Sequence, residues 1–296
     1  MTRTIATPVL DIAYRQFGGD DGFPVVLLHG FPYDWASYDE AGPLVADAGA
    51  RVIVPSLRGY GSTRFRSDST MRSGQQAALG RDLLDLLDAL DIERAVVGGY
   101  DWGGRAACVL AALHPERVAG LVSVDGYNIQ QIAASGEPEP PDHERALWYQ
   151  WYFQSERGRR GLARNRDDLC RILWQDWSPE WPDAAAAFEL SAPSLHNPDF
   201  VDVVIHSYRH RYGNAPGDPA YEADERMLAT RPPIAVPAIV LCGASDGLGA
   251  GDPDDDRADF TGPFRGAVLP GVGHNPPQEA PAAFAAAVAS LLPAAA

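Results

Sequence analysis

The chain contains no lysine: its 24 basic residues are all arginine, and 40 acidic residues leave a formal net charge of −16. Mechanisms built on a Schiff-base or phosphate-gripping lysine are therefore excluded. So acidic a molecule is repelled by phosphate backbones and anionic lipid surfaces, which argues against a nucleic-acid or membrane partner. Cysteine is scarce as well. Cys108, Cys170 and Cys242 are odd in number, far apart and form no Cys-x-x-Cys pair, so neither a disulfide framework nor a zinc site is signalled, and no metal or other cofactor is called for. No apolar run approaches the ~18 residues of a membrane span. The opening MTRTIATPVLDIAYRQF lacks the apolar stretch and small-residue cleavage site of a secretory leader, so a soluble, cytoplasmic protein is expected, with a homodimer left open.

What is present is the material of a large core: 296 residues, 46% of them hydrophobic, with 29 Gly and 25 Pro spread along the chain and not gathered into repeats. Short aliphatic runs at Val25–Leu28, Val52–Val54, Ala95–Gly98 and Leu121–Val124 suit strands buried on both faces. Between them, Gln75–Leu90 and Arg105–His114 carry apolar residues at helical spacing. This alternation predicts a mostly parallel, doubly wound α/β sheet. The rhythm stops after Val124 and resumes at Ala238–Leu241 and Ala267–Leu269, before an Ala-rich helix ending near Leu292. Residues 1–126 and 238–296 are thus expected to form one core domain, and 127–237 an inserted, largely helical lid. Five of the seven tryptophans fall in that insertion: Trp148, Trp151, Trp174, Trp177 and Trp181.

The strongest local signal is Val96-Val97-Gly98-Gly99-Tyr100-Asp101-Trp102-Gly103-Gly104-Arg105, a buried strand passing through Gly-x-Asp-x-Gly into a helix. This is the context of a nucleophile elbow, with Asp where hydrolases usually place Ser. An Asp that merely capped the helix would explain neither set of glycines. His29-Gly30-Phe31-Pro32 follows the strand Val25–Leu28, placing the backbone N–H groups of Phe31 and Trp102 as an oxyanion hole. A Gly-flanked histidine, His274 in Pro270-Gly271-Val272-Gly273-His274-Asn275, follows the last strand, where a general base belongs. Two carboxylates at strand ends could orient its imidazole. Asp246, in Gly243-Ala244-Ser245-Asp246, fits the chain order nucleophile, acid, histidine, and Asp125 is the alternative.

Together HGFPYDW, the Arg58-Gly59-Tyr60-Gly61 turn, GYDWGG, the insertion, GASD and GVGHN resemble the α/β-hydrolase superfamily in its epoxide hydrolase and haloalkane dehalogenase branch. The likeness covers essentially the whole chain; Ser56, where relatives often have Asp, is a minor departure. A carboxylate nucleophile points to a saturated carbon, because attack there leaves an ordinary alkyl ester and not a mixed anhydride. Water activated by His274 would then hydrolyse that ester. Epoxides and alkyl halides both fit, and a strained aziridine could be opened by the same displacement.

The leaving group separates these substrates, since an epoxide oxygen needs a proton donor as its C–O bond opens. The segment Trp148-Tyr149-Gln150-Trp151-Tyr152-Phe153 is similar to the cap of soluble epoxide hydrolases, where the residue matching Tyr149 polarises the ring oxygen; Tyr208, before Arg209, matches their second ring-opening tyrosine. Trp35, Trp151, Tyr152 and His206 are expected to line the substrate site. Fluoroacetate dehalogenases are similar in HGFP and in Arg105, but they have Arg directly after the nucleophile and His beside the cap Trp, where this chain has Trp102 and Gln150. Haloalkane dehalogenases typically have Asn at the position of Phe31. Epoxide hydrolysis of a small, largely apolar molecule is therefore the leading expectation, dehalogenation the alternative, and a catalytically silent binding module a third. Arg105, one turn into the elbow helix, could bind a substrate carboxylate, but an ion pair with one of the many acidic side chains is the leading expectation.

Overall fold

A computed structural model describes residues 2–293; the outermost ends of the expected core domain lie outside the described residues. Strands β1 (Thr2–Ala6) and β2 (Leu10–Phe17) pair antiparallel and open the sheet. There follow β3 (Phe23–Leu28), β4 (Ala50–Pro55), the short β5 (Arg64–Phe65), β6 (Ala95–Gly99), β7 (Val118–Val124), β8 (Ala238–Gly243) and β9 (Phe264–Leu269). Across the sheet the order is β1-β2-β4-β3-β6-β7-β8-β9, with β5 on β2. From β4 to β9 every pairing is parallel, as the unbroken apolar runs predict. The N-terminal strands were not legible as such, because Arg3, Asp11 and Arg15 interrupt their apolar residues.

Helices α1 (Ala41–Asp47), α2 (Gln76–Ala89) and α3 (Asp101–Leu113) connect the first parallel strands. Between β7 and β8 lie α4 (Pro141–Ala146), α5 (Trp148–Gln154), α6 (Glu156–Arg164), α7 (Arg166–Trp177), α8 (Ala184–Ser191), α9 (Phe200–Arg211) and α10 (Glu222–Leu228), and the chain closes with α11 (Pro276–Glu279) and α12 (Pro281–Ala289). No described helix is long and apolar enough to cross a membrane. Successive β6 residues show that both faces are covered: a Cβ on Gly98 would meet Phe284 of α12, and one on Gly99 would meet Gly103 of α3.

The excursion between β7 and β8 is fastened over the strand ends by buried polar contacts. Trp174 Nε1 donates to the Pro32 carbonyl (3.0 Å), and Asn197 Nδ2 donates to the carbonyls of Tyr60 (3.0 Å) and Thr63 (2.8 Å). Beneath them the Arg-Gly turn is anchored by Arg58, whose guanidinium donates to both oxygens of Asp82 at 2.6 Å and to the Ser73 carbonyl at 2.7 Å. Both partners are buried, so removing either charge alone would cost about 3–5 kcal/mol.

Candidate active site

Strand β6 ends at Gly99 and α3 begins at Asp101, leaving Tyr100 alone to make the connection. Asp101 is forced into the left-handed region, φ 50°, a strain of about 1–3 kcal/mol for a non-glycine residue. The surroundings admit no extra atom: a Cβ on Gly103 would lie 2.0 Å from the Leu28 carbonyl oxygen, and one on Gly30 would lie 2.4 Å from Asp101 Cβ. Backbone N–H groups converge on the carboxylate as a result. Phe31 donates to Oδ1 at 2.6 Å and Trp102 donates to the same oxygen at 2.7 Å. The other oxygen, Oδ2, is 3.8 Å from His274 Nε2. Burial opposes ionisation of Asp101, but His274, Arg105 and the Phe31 N–H outweigh it and hold the pKa below the usual carboxylate range. His29 supports this loop from behind, accepting from the Leu57 N–H at Nε2 (3.1 Å); burial pushes its pKa down to about 4, so it stays neutral.

His274 is buried, with Nδ1 2.7 Å from Asp246 Oδ2 and 3.9 Å from Asp125 Oδ2. The remaining Asp246 oxygen accepts from the Leu248 N–H at 2.8 Å, which fixes the carboxylate plane. Asp125 Oδ1 has no partner among the described residues, and burial, followed by the charge of Asp246, pushes the Asp125 pKa up to about 8. Burial also works against a charge on His274, but Asp246 and Asp101 overcome it and raise its pKa well above the ordinary value. The imidazole is therefore held protonated while both carboxylates are charged.

Above the carboxylate, Phe31 is surrounded by Trp102, Tyr149, Phe153, Trp177, Phe200 and Tyr208, with ring centroids 5.4–6.3 Å away. Tyr149 and Tyr208 come from different helices, α5 and α9, yet their rings stand 5.3 Å apart. The Tyr208 hydroxyl is buried without a partner among the described residues. The Tyr149 oxygen accepts from Gln150 Nε2 at 2.9 Å, which leaves its own proton free to be donated. Burial pushes the Tyr149 pKa up to about 12, against an opposing pull from Arg211.

Residues 24–250 match the family described as the alpha/beta hydrolase fold. The chain belongs to the α/β hydrolases. Epoxide hydrolase A of Mycobacterium tuberculosis is 30% identical to this hydrolase over 300 residues, covering 93% of this chain and 92% of that protein. Epoxide hydrolase B of the same organism is 38% identical over 147 residues, but the match takes in 45% of this chain and only 40% of that relative's length. A crystal structure from Klebsiella pneumoniae, of a protein provisionally named an epoxide hydrolase, has a TM-score of 0.96 and 46% identity, covering 98% of this chain and 96% of that one. The chain is thus an α/β hydrolase similar to proteins named epoxide hydrolases.

Not every residue expected at the site of this hydrolase is there. Trp35 follows the Asp34 cap of a 3-10 turn and lies under the Arg15 guanidinium (4.8 Å), away from the aromatic cluster. Trp151 is 42% exposed, donates to Glu144 at 2.8 Å and packs at a tilt against Tyr212, so it lines an outer cavity of about 400 Å³ and not the space over Asp101. Tyr152 turns away along α6, where only a glycine at 161 leaves room for its hydroxyl. His206 has both ring nitrogens engaged, Nδ1 accepting from the Gly74 N–H and Nε2 donating to the Pro216 carbonyl, each at 3.0 Å. The ion pair expected for Arg105 is also absent: the side chain is buried, and its Nε and Nη1 have no partner among the described residues.

Two contributors were missed. Gln150 was given no role of its own in the sequence, yet its amide links Tyr149 to Arg211 and Tyr212, whose Nη1 and hydroxyl each donate to its Oε1 at 2.9 Å. Glu279 holds the histidine loop by accepting from the Gly273 N–H (2.6 Å), the Asn275 N–H (2.9 Å) and Ser178 Oγ (2.7 Å). Nothing in the local sequence distinguishes it from a surface glutamate.

Proposed function

We propose that this hydrolase opens an epoxide to a vicinal diol through an ester on Asp101. The observation that carries the reading is the division of labour between the two oxygens of that carboxylate. Oδ1 lies between two N–H donors, in the position a developing oxyanion would occupy, and Oδ2 is directed towards the histidine. Oδ2 attacks one ring carbon; the C–O bond breaks, and the freed oxygen takes a proton from Tyr149 or Tyr208. Water then adds to the Asp101 carbonyl carbon and gives a proton to His274 Nε2, while Phe31 and Trp102 hold the charge on Oδ1. As the intermediate collapses, the Asp101 Cγ–Oδ2 bond breaks and Oδ2 takes the proton still on the oxygen derived from water, so the diol leaves, Asp101 is again a carboxylate and His274 keeps the other water proton as an imidazolium. Ester formation removes the charge on Asp101 that had favoured the imidazolium, so before water adds His274 gives its proton to the tyrosinate left by ring opening and is a neutral base at the step that needs one. Asp246 serves as the orienting acid, at 2.7 Å against 3.9 Å for Asp125. Residues 127–237 act as the cap that supplies both tyrosines and excludes water.

Halide displacement is the second reading, because the buried indole N–H groups of Trp102 and Trp177 have no partner among the described residues and could receive a departing halide. A silent binding module is disfavoured, since it would need neither the strained Asp101 nor the aligned histidine. The deciding experiment is intact-protein mass spectrometry of His274→Gln exposed separately to aryl and alkyl epoxides and to haloalkanes and haloacids. The expected result is a mass gain equal to a whole epoxide, lost in His274→Gln/Asp101→Asn. A gain equal to the halide minus its halogen, with none from epoxides, would replace this reading by dehalogenation.

A further inference from the structure

Two tyrosines stand at the reacting centre, and ring opening needs a proton from one of them. Their surroundings differ. The Tyr208 hydroxyl is buried without a hydrogen-bond partner among the described residues, so a phenolate formed there would have no donor to hold it. The Tyr149 oxygen accepts from Gln150 Nε2 at 2.9 Å, and a phenolate formed there would keep that donor.

Arg211 of α9 sets the sense of this bond from the far side of the amide. A guanidinium has donors only, and its Nη1 lies 2.9 Å from the Gln150 side-chain amide. The end of the amide facing Arg211 must therefore be the carbonyl oxygen, and the end facing Tyr149 must be the nitrogen. The Tyr212 hydroxyl, 2.9 Å from the same Oε1, donates to it as well. Because an amide nitrogen only donates, the Tyr149 oxygen accepts, and its one proton is turned away from Gln150. Tyr149 and Gln150 are both buried, so bulk water does not compete for these positions.

The partners of Arg211 are themselves informative. Its hydrogen bonds go to neutral amides, Gln150 and the Gln130 side-chain oxygen, in a chain with 40 acidic residues. A carboxylate in their place would cancel its charge, whereas an amide passes part of it on, because donation to Oε1 polarises the N–H groups at the other end. The guanidinium also lies over the Tyr208 ring at 4.8 Å, but its hydrogen bonds are directed elsewhere. The charged and titratable groups facing the Tyr149 phenol are Asp101 from the elbow and Arg211 and Tyr208 from α9; Arg105 of α3 faces both Tyr149 and Arg211. Asp101 loses its charge during ester formation, as the proton leaves the tyrosine.

We propose that Arg211 and Gln150 are positioning residues that make Tyr149 the proton donor: Arg211 orients and polarises the Gln150 amide, whose N–H holds the phenolate left by ring opening. Tyr208 keeps its proton and only hydrogen-bonds the opening oxygen. The proposal rests on the reading of the substrate as an epoxide attacked by Asp101. In that step the bond from Oδ2 to carbon forms, the C–O bond breaks, and the freed oxygen takes the Tyr149 proton. One negative charge thereby moves from Asp101 to the Tyr149 oxygen, where it stays until His274 returns a proton.

The test has two arms, with melting curves showing that each variant is folded. In the first, single-turnover ester formation is measured for the fastest epoxide of the panel above and for a bromoalkane, with wild-type enzyme, Arg211→Met, Arg211→Lys, Gln150→Met and Gln150→Glu. Arg211→Met and Gln150→Met should slow the epoxide by about 10- to 100-fold, and Arg211→Lys should recover part of the loss. Gln150→Glu, whose carboxylate accepts the Tyr149 proton, should slow it about as much as Tyr149→Phe. Displacement of bromide, which needs no proton, should change by less than about threefold. In the second arm, Tyr149 or Tyr208 is replaced by 3,5-difluorotyrosine, a more acidic phenol whose ionisation is followed by absorbance. At position 149, Arg211→Met and Gln150→Met should each raise the phenol pKa by about one to two pH units; at position 208, Gln150→Met should leave it unchanged. An unmoved pKa at 149, or equal slowing of epoxide and bromide, would overturn the proposal while leaving epoxide hydrolysis intact. Failure of every epoxide to form an ester on the wild-type enzyme would instead remove the reading on which it rests.

Discussion

Replacing Asp246 by asparagine removes the charge from the group 2.7 Å from His274 Nδ1 while nearly preserving its shape. A hydrogen bond involving a charged partner contributes about 1.5–3 kcal/mol. At 1.36 kcal/mol per tenfold, hydrolysis of the Asp101 ester should therefore slow by about 10- to 150-fold. Ester formation uses no base on histidine and should be affected much less. Asp125 limits the loss. Its Oδ2 is 3.9 Å from the same nitrogen, and part of what pushes its pKa up to about 8 is the charge of Asp246. Once that charge is gone, Asp125 ionises at lower pH and can pair with the imidazolium. Rapid-quench measurement of the decay of the alkyl-enzyme is the appropriate assay, comparing wild type, Asp246→Asn and Asp246→Asn/Asp125→Asn. The double variant should be slower than Asp246→Asn by about another tenfold, and the residual rate of Asp246→Asn should rise with pH as Asp125 deprotonates. A double variant no slower than the single one would refute the idea that Asp125 stands in reserve.

Two further expectations concern the same cycle. Asp101 is held below the usual carboxylate range, and only its ionised form attacks, so kcat/KM should persist to acidic pH. The hydrolytic step needs neutral His274, so where that step limits turnover kcat should fall at a higher pH than kcat/KM. Profiles of both parameters check this, and coincident acid limbs would contradict it. Tyr149→Phe and Tyr208→Phe should each slow ester formation from epoxides by about 10²- to 10⁴-fold in stopped-flow experiments, with no comparable effect on a halide substrate. Equal slowing of both substrate types would remove the tyrosines from the leaving-group role.

The parallel sheet was legible because burial on both faces leaves unbroken aliphatic runs, as at Val25–Leu28 and Ala95–Gly99. The N-terminal pair was not, because β1 is exposed along nearly its whole length and Asp11 and Arg15 interrupt the apolar residues of β2. At the site, Asp101 and His274 could be found because local glycines mark the turns that present them. Trp35, Tyr152 and His206 have their side chains engaged elsewhere in the structure, because proximity along the chain to a motif does not determine which way a side chain points. Gln150 and Glu279 escaped for the complementary reason: each acts through contacts between elements distant in the chain or through backbone N–H groups, for which no residue pattern is required.

The helical excursion leaves the sheet at β7 and re-enters it at β8, and those two strands are hydrogen-bonded neighbours. Because the strands run parallel, with Leu121 opposite Ala238, it leaves the carboxyl end of β7 and returns to the amino end of β8, roughly 11 Å away by three residues of rise and one strand spacing. To the rest of the chain it is a very large loop, one whose length the sheet register does not sense. An exchange of this segment between related genes could consequently change which molecules are admitted without disturbing the strand ends that hold Asp101 and His274. The exchange would be restricted chiefly at the few points where the segment grips the core, among them the bonds from Trp174 to Pro32 and from Asn197 to Tyr60 and Thr63. A recombinant that kept those anchors but brought different tyrosines or arginines would inherit the nucleophile and acquire another repertoire.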